Sequence, residues 1–177
     1  MASEESAATR SAIRLLSSGP GSAHVETGIP VLDGLLEELA RYGCFDLTLV
    51  TASDAADAQV VASGSALGQA LAGLLRESGA RGHGSGHVPA SEALAHVALD
   101  LSDAPCLVSN VDLSDAHLGG LAGDMANRFL SELALSAGIA LHVRLVEGRD
   151  TQHVLDAIFK ALGVALEAAC RVRGERA

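Results

Sequence analysis

The sequence predicts an α+β domain made of two similar β-β-α-β-α halves, with sheet packed against helices. Three observations carry this. Segments with a period of two and segments with a helical period follow one another in the same order twice along the chain. Residues of the first half recur in the second at a nearly constant offset. The 177 residues, 49% of them hydrophobic, suffice to bury a core without a disulfide or metal to hold the fold.

Residues 1–10 (MASEESAATR) are small, polar and charged and are expected to form a disordered tail, leaving 11–177 as a single domain of two repeats, about 11–86 and 87–172. Ser17 to Ser22 mark a turn between two short strands. Pro30 suits a first helical turn, and Val31, Leu32, Leu35, Leu36 and Leu39 repeat at helical spacing until Gly43. Phe45, Leu47 and Leu49 alternate with Asp46 and Thr48, which predicts a half-buried strand, and a helix follows from about Asp57 to Ser78. Gly79 to Gly86 (GARGHGSG) reads as a surface loop and not as a phosphate cradle, because no G-K-S/T ending accompanies it. Residues 95–101 and 105–111 read as two strands joined at Ser102 to Pro105. Asp124 to Ala137 is helical, Ile139 to Val146 a strand, and Thr151 to about Arg171 a last long helix.

The doubling is visible in single residues. A shift of 94 places Leu36, Glu38, Leu39, Ala40 and Leu47 on Leu130, Glu132, Leu133, Ala134 and Leu141. One more residue of shift places Ala62, Ala66, Leu67, Gly68, Ala70 and Leu71 on Ala157, Ala161, Leu162, Gly163, Ala165 and Leu166.

Composition excludes several functions. A net charge of -10 repels a phosphate backbone, and aromatics at 2% leave no stacking platform, so no nucleic-acid partner is expected. No signal-like start and no apolar run of about eighteen residues is seen, so no membrane partner and a cytoplasmic location are expected. Cys44, Cys106 and Cys170 lie far apart without a C-x-x-C and are read as small buried hydrophobes.

Four stretches carry a resemblance to a known family: TGIPVLDGLLEELARYGCFDL (27–47), GSALGQAL (64–71), VPASEALAHVALDLSDAPCLV (88–108) and LHVRLVEGRDTQHVLDAIFKAL (141–162). They resemble the imidazoleglycerol-phosphate dehydratases, lyases of histidine biosynthesis built from two such halves with a fold like domain 2 of ribosomal protein S5. The resemblance implies two manganese ions held by an HHxxE motif in each half, with sites completed between subunits of trimers that metal knits into 24-subunit shells.

This sequence departs from that pattern. The first HHxxE falls on Asp57, Ala58, Gln59, Val60 and Val61, and the second on Gln152, His153, Val154, Leu155 and Asp156. A further metal histidine is replaced by Gly34, while His142 is retained. The proton-transfer aspartate is Ser91, beside a retained Glu92, and two phosphate-binding arginines fall on Gly82, next to Arg81, and on Ala104. The phosphate-binding tail has no counterpart in ACRVRGERA, the early catalytic glutamate is lost, and Lys160 alone matches a phosphate contact.

The expectation is a dehydratase-like protein that has lost catalysis and serves as a structural, regulatory or ligand-binding homologue, with no cofactor. It is expected to form a homo-oligomer, a trimer, or to assemble with an active dehydratase paralogue. The alternative is an active lyase of altered specificity with one metal at His142, His153 and Asp156. Those residues read more simply as a solvated helix start and a strand histidine, and that reading is preferred. Lys160 with Arg81 forms a candidate residual phosphate site, against the simpler reading of Lys160 as a solvated charge. His24, His83, His87, His96 and His117 show no ligand spacing and read as surface or packing residues, and Asp33 as structural.

Overall fold

The computed structural model describes residues 10–53, 55–115 and 117–174. Of the expected tail, residues 1–10, the first nine lie outside them, and Arg10 is corrected: it opens the first strand. β1 (Arg10–Leu16) and β2 (Ala23–Glu26) flank β3 (Asp46–Ala52), which runs antiparallel to β1 and parallel to β2. Parallel neighbours need a crossover, and α1 (Pro30–Tyr42) supplies it between β2 and β3. α2 (Ala56–Leu75) completes the first half.

The second half repeats this topology. β5 (Ala93–Leu101) is antiparallel and β6 (Cys106–Ser109) parallel to the central β9 (Ile139–Glu147). α3 (Gly123–Ala137) makes the crossover, ending at Gly138 in the left-handed region that glycine adopts without strain. α4 (Thr151–Cys170) follows β9 as α2 follows β3. Two additions break the symmetry: β4 (His83–Ala90) joins the outer edge of β5, and a small hairpin, β7 (His117–Leu118) with β8 (Leu121–Ala122), lies between β6 and α3. The repeat boundary set near residue 86 falls inside β4.

Within each half, sheet lies on one side and helices on the other, as expected. The halves meet helix to helix, α2 along α3 and α1 along α4, so the helices form a middle layer between two outer sheets. Leu36, Leu39, Leu67, Leu71, Phe129, Leu133, Phe159 and Leu162 fill it, with the rings of Phe129 and Phe159 5.6 Å apart. By length and composition α2 alone among the described residues could cross a membrane. Here it is a core helix, with Val60, Leu67, Leu71 and Leu75 buried.

The glycine-rich stretch corrects the sequence reading. Its second part is strand β4, packed so closely on α4 that a Cβ at Gly84 would overlap the Ala165 carbonyl, and one at Gly86 the Ala161 carbonyl. Glycine there serves helix–strand approach and not loop formation. The cysteines are also corrected, because Cys44 and Cys106 are exposed and only Cys170 is partly buried.

Candidate functional site

The site lies where α4 begins. Asp150 is its N-cap, and the carboxylate accepts from the backbone N–H groups of Gln152 and His153, which otherwise lack helical partners. The tight β4–β5 turn, with Ser91 at a φ of 51°, carries Glu92 to the same point. Glu92 Oε1 accepts from the N–H of Asp150 at 3.0 Å and of Arg149 at 3.3 Å. Its Oε2 lies 2.5 Å from His153 Nδ1. The Asp150 N–H first, then the N–H of Glu92 itself, then His153 and the Arg149 N–H, hold the Glu92 carboxyl down to about 2, against a smaller opposing effect of desolvation. Both side chains are partly open to solvent, 46% and 39% exposed, so the pair orients the turn on the helix more than it stabilises the fold.

One turn on, Asp156 Oδ1 accepts from Gln152 Nε2 at 2.7 Å. The three expected metal residues do not converge in this chain. His142 stands on the outer face of the second sheet, opposite Ala98 and Val108. It precedes the end of β9 by five residues, about 17 Å of strand. His153 begins the helix beyond that end. Among the described residues no three His, Cys, Asp or Glu side chains are placed to hold a metal ion.

The candidate phosphate pair is likewise separated. Lys160 faces α1, with Nζ 3.8 Å from Glu38 Oε2 and above the Tyr42 ring, and is mostly buried. Arg81 precedes β4, its N–H bonded to the Arg171 carbonyl, and Lys160 and Arg171 are about 16 Å apart along the helix axis.

The first half carries an equivalent helix start without the chemistry. Asp57, Ala58 and Gln59 lie in the first turn of α2, as Gln152 and His153 do in that of α4. Asp57 pairs with Arg128 at 3.2 Å, and Gln59 Nε2 donates to the Ser53 carbonyl at 2.7 Å. Asp33 is structural, accepting from both the N–H and the hydroxyl of buried Thr27 and so tying β2 to α1. The Glu92–His153 pair is what sequence reasoning missed. Its signal was the four residues ASEA at a hairpin turn, recognisable only once residues 83–90 are read as a strand.

These features define an internally duplicated α+β protein with polar groups gathered where the second long helix of each half begins. A family model described as imidazoleglycerol-phosphate dehydratase matches residues 27–166, and the chain belongs to that family. The imidazoleglycerol-phosphate dehydratase of Desulfitobacterium hafniense (strain Y51) is 40% identical over 167 residues, covering 92% of this chain and 85% of that protein. That of Acetivibrio thermocellus is 39% identical, covering 86% and 80%. The Pyrococcus furiosus structure, solved in complex with (S)-C348, superposes with a TM-score of 0.83 at 26% identity, covering 94% of this chain and 91% of that one.

Proposed function

We propose that this chain is a member of the dehydratase family without the family's lyase chemistry, retained as a structural, regulatory or ligand-binding homologue. The observation that supports this reading is the state of the two helix starts. The first offers Asp57, Ala58 and Gln59, and the second one histidine already hydrogen-bonded to Glu92. Hard and borderline cations need several converging oxygen and nitrogen donors. The donor set here does not fit a pair of manganese ions, so no step is derived through metal. The single-metal lyase alternative finds no support in this chain, because His142 stands apart from His153 and Asp156.

The reading is tested by metal analysis of protein purified without chelator, with a dehydratase assay on imidazoleglycerol phosphate in added manganese. The expected result is no stoichiometric metal and no turnover. Near-stoichiometric manganese with turnover overturns it.

The same reading includes a cytoplasmic homo-oligomer, a trimer, or a mixed assembly with an active family member. Val108 and Val146, both about half exposed at the outer side of the second sheet, support an assembly there. Light scattering is expected to give a trimer mass. A metal-dependent 24-subunit particle would count against it.

A further inference from the structure

His87 and His96 show no ligand spacing in sequence, yet the β4–β5 hairpin sets them directly opposite each other. Strand alternation puts both on the outer face of the second sheet: Val88, Ala95 and Val97 turn inward and are buried, while His87 is exposed and His96 half-buried. Their ring centroids are 5.5 Å apart with the planes at 63°, so the rings are angled and not stacked. Among the described residues neither ring has a hydrogen bond or an ion pair, so their nitrogens are uncommitted.

We infer that His87 and His96 form a two-point chelate for a borderline transition-metal dication of the zinc or nickel type. Two imidazoles bound to one ion at about 2.05 Å and a tetrahedral angle have ring centroids roughly 5.2 Å apart. The observed separation is close to that value, and angled planes suit ligands radiating from one ion. The antiparallel ladder fixes both backbones, so little ordering remains to oppose binding. No third side chain converges on the pair, which leaves the remaining coordination positions to water. Arg144 stands opposite His96 on β9 and opposes cation binding. His142, which follows on the same strand face, lies one register row away, opposite Ala98. Imidazole pairs select nickel, copper and zinc over magnesium and manganese. This site shares no residue with the family's metal positions, lies on the same outer face as Val108 and Val146, and would bridge the edge strand β4 to β5.

The test is calorimetric titration of the full chain with nickel chloride and, separately, zinc chloride. Saturable binding of one ion per chain is expected, with His87→Ala and His96→Gln each weakening it by roughly tenfold or more. His142→Ala and His153→Ala are expected to leave the affinity unchanged. Nickel should raise the melting temperature of the parent protein and not of the double variant. Because His87 is exposed and His96 half-buried, the variants are expected to keep the parent circular dichroism. Absence of saturable binding, binding that persists in the double variant, or equal loss in His142→Ala would each overturn the inference.

Discussion

Replacing Gly86 by alanine should destabilise the fold, while the same change at Gly73 should stabilise it. At Gly86 a Cβ would overlap the Ala161 carbonyl oxygen and come within 3.0 Å of Val164 Cβ. A carbonyl inside a helix cannot rotate aside, so β4 must retreat from α4 and loosen Val88 and Ala90 from the core. Overpacking of this kind costs about 1–3 kcal/mol. In a domain of this size each kcal/mol lowers the melting temperature by about 2–4 °C, so the fall should be roughly 2–12 °C. Nothing lies within 4 Å of a Cβ at Gly73, which sits inside α2 and is exposed. Alanine there should add about 0.5–1 kcal/mol through helix propensity alone. Thermal unfolding by circular dichroism and urea midpoints on both variants measure the two signs. If Gly86→Ala melts at or above the parent temperature, the close approach of strand and helix is wrong and residues 79–86 revert to a loop.

Two further outcomes follow from the titrating groups. The Glu92 carboxyl is held down to about 2 from an ordinary 4.5, so the stability it supplies is full above about 4.5 and is lost as pH falls toward 2. Glu92→Gln should therefore flatten the acid limb of melting temperature against pH in that window, and an unchanged slope would refute the link between turn and helix. Cys44 and Cys106 are exposed, whereas burial first, and nearby Glu77 and Glu167 second, push the Cys170 thiol up to about 12. A thiol reagent at neutral pH should label the first two in the native protein and Cys170 only after unfolding, and three equal rates would contradict this burial pattern.

What was legible in the sequence was whatever depends on neighbours along the chain. The leucines of α1, the alternation in β3 and β9, and the offset of 94 residues each report a local period or a repeat of one. Partners set by sheet register were hidden. Nothing local says that β3 inserts between β1 and β2, or β9 between β5 and β6. The GHGSG run looked like a loop because glycine is a turn signal unless something presses against it, and here that neighbour is α4, some eighty residues later. The same blindness hid both pairs that the fold creates: Glu92 meets His153, and His87 meets His96, only because β4 and β5 form a hairpin.

The separation of fold from chemistry has a physical basis in where each set of residues sits. In α4 the groups that hold the fold, Val154, Leu155, Ile158, Phe159 and Leu162, are buried, while His153 and Asp156 keep contact with solvent. In α2 the same division sets Val60 and Leu67 against Asp57 and Ala58. Substitutions at solvent-facing positions of a first helical turn usually change stability by about half a kcal/mol or less, whereas truncating buried leucine costs about 2–5 kcal/mol. A lineage can therefore exchange histidine for aspartate, alanine or glutamine at both helix starts and keep its core almost undisturbed. The capping of α4 by Asp150 and the anchoring of its approach by Glu92 come from neighbouring positions outside the two motifs. Asp150 satisfies free N–H groups at the start of the helix, and Glu92 braces the turn against it.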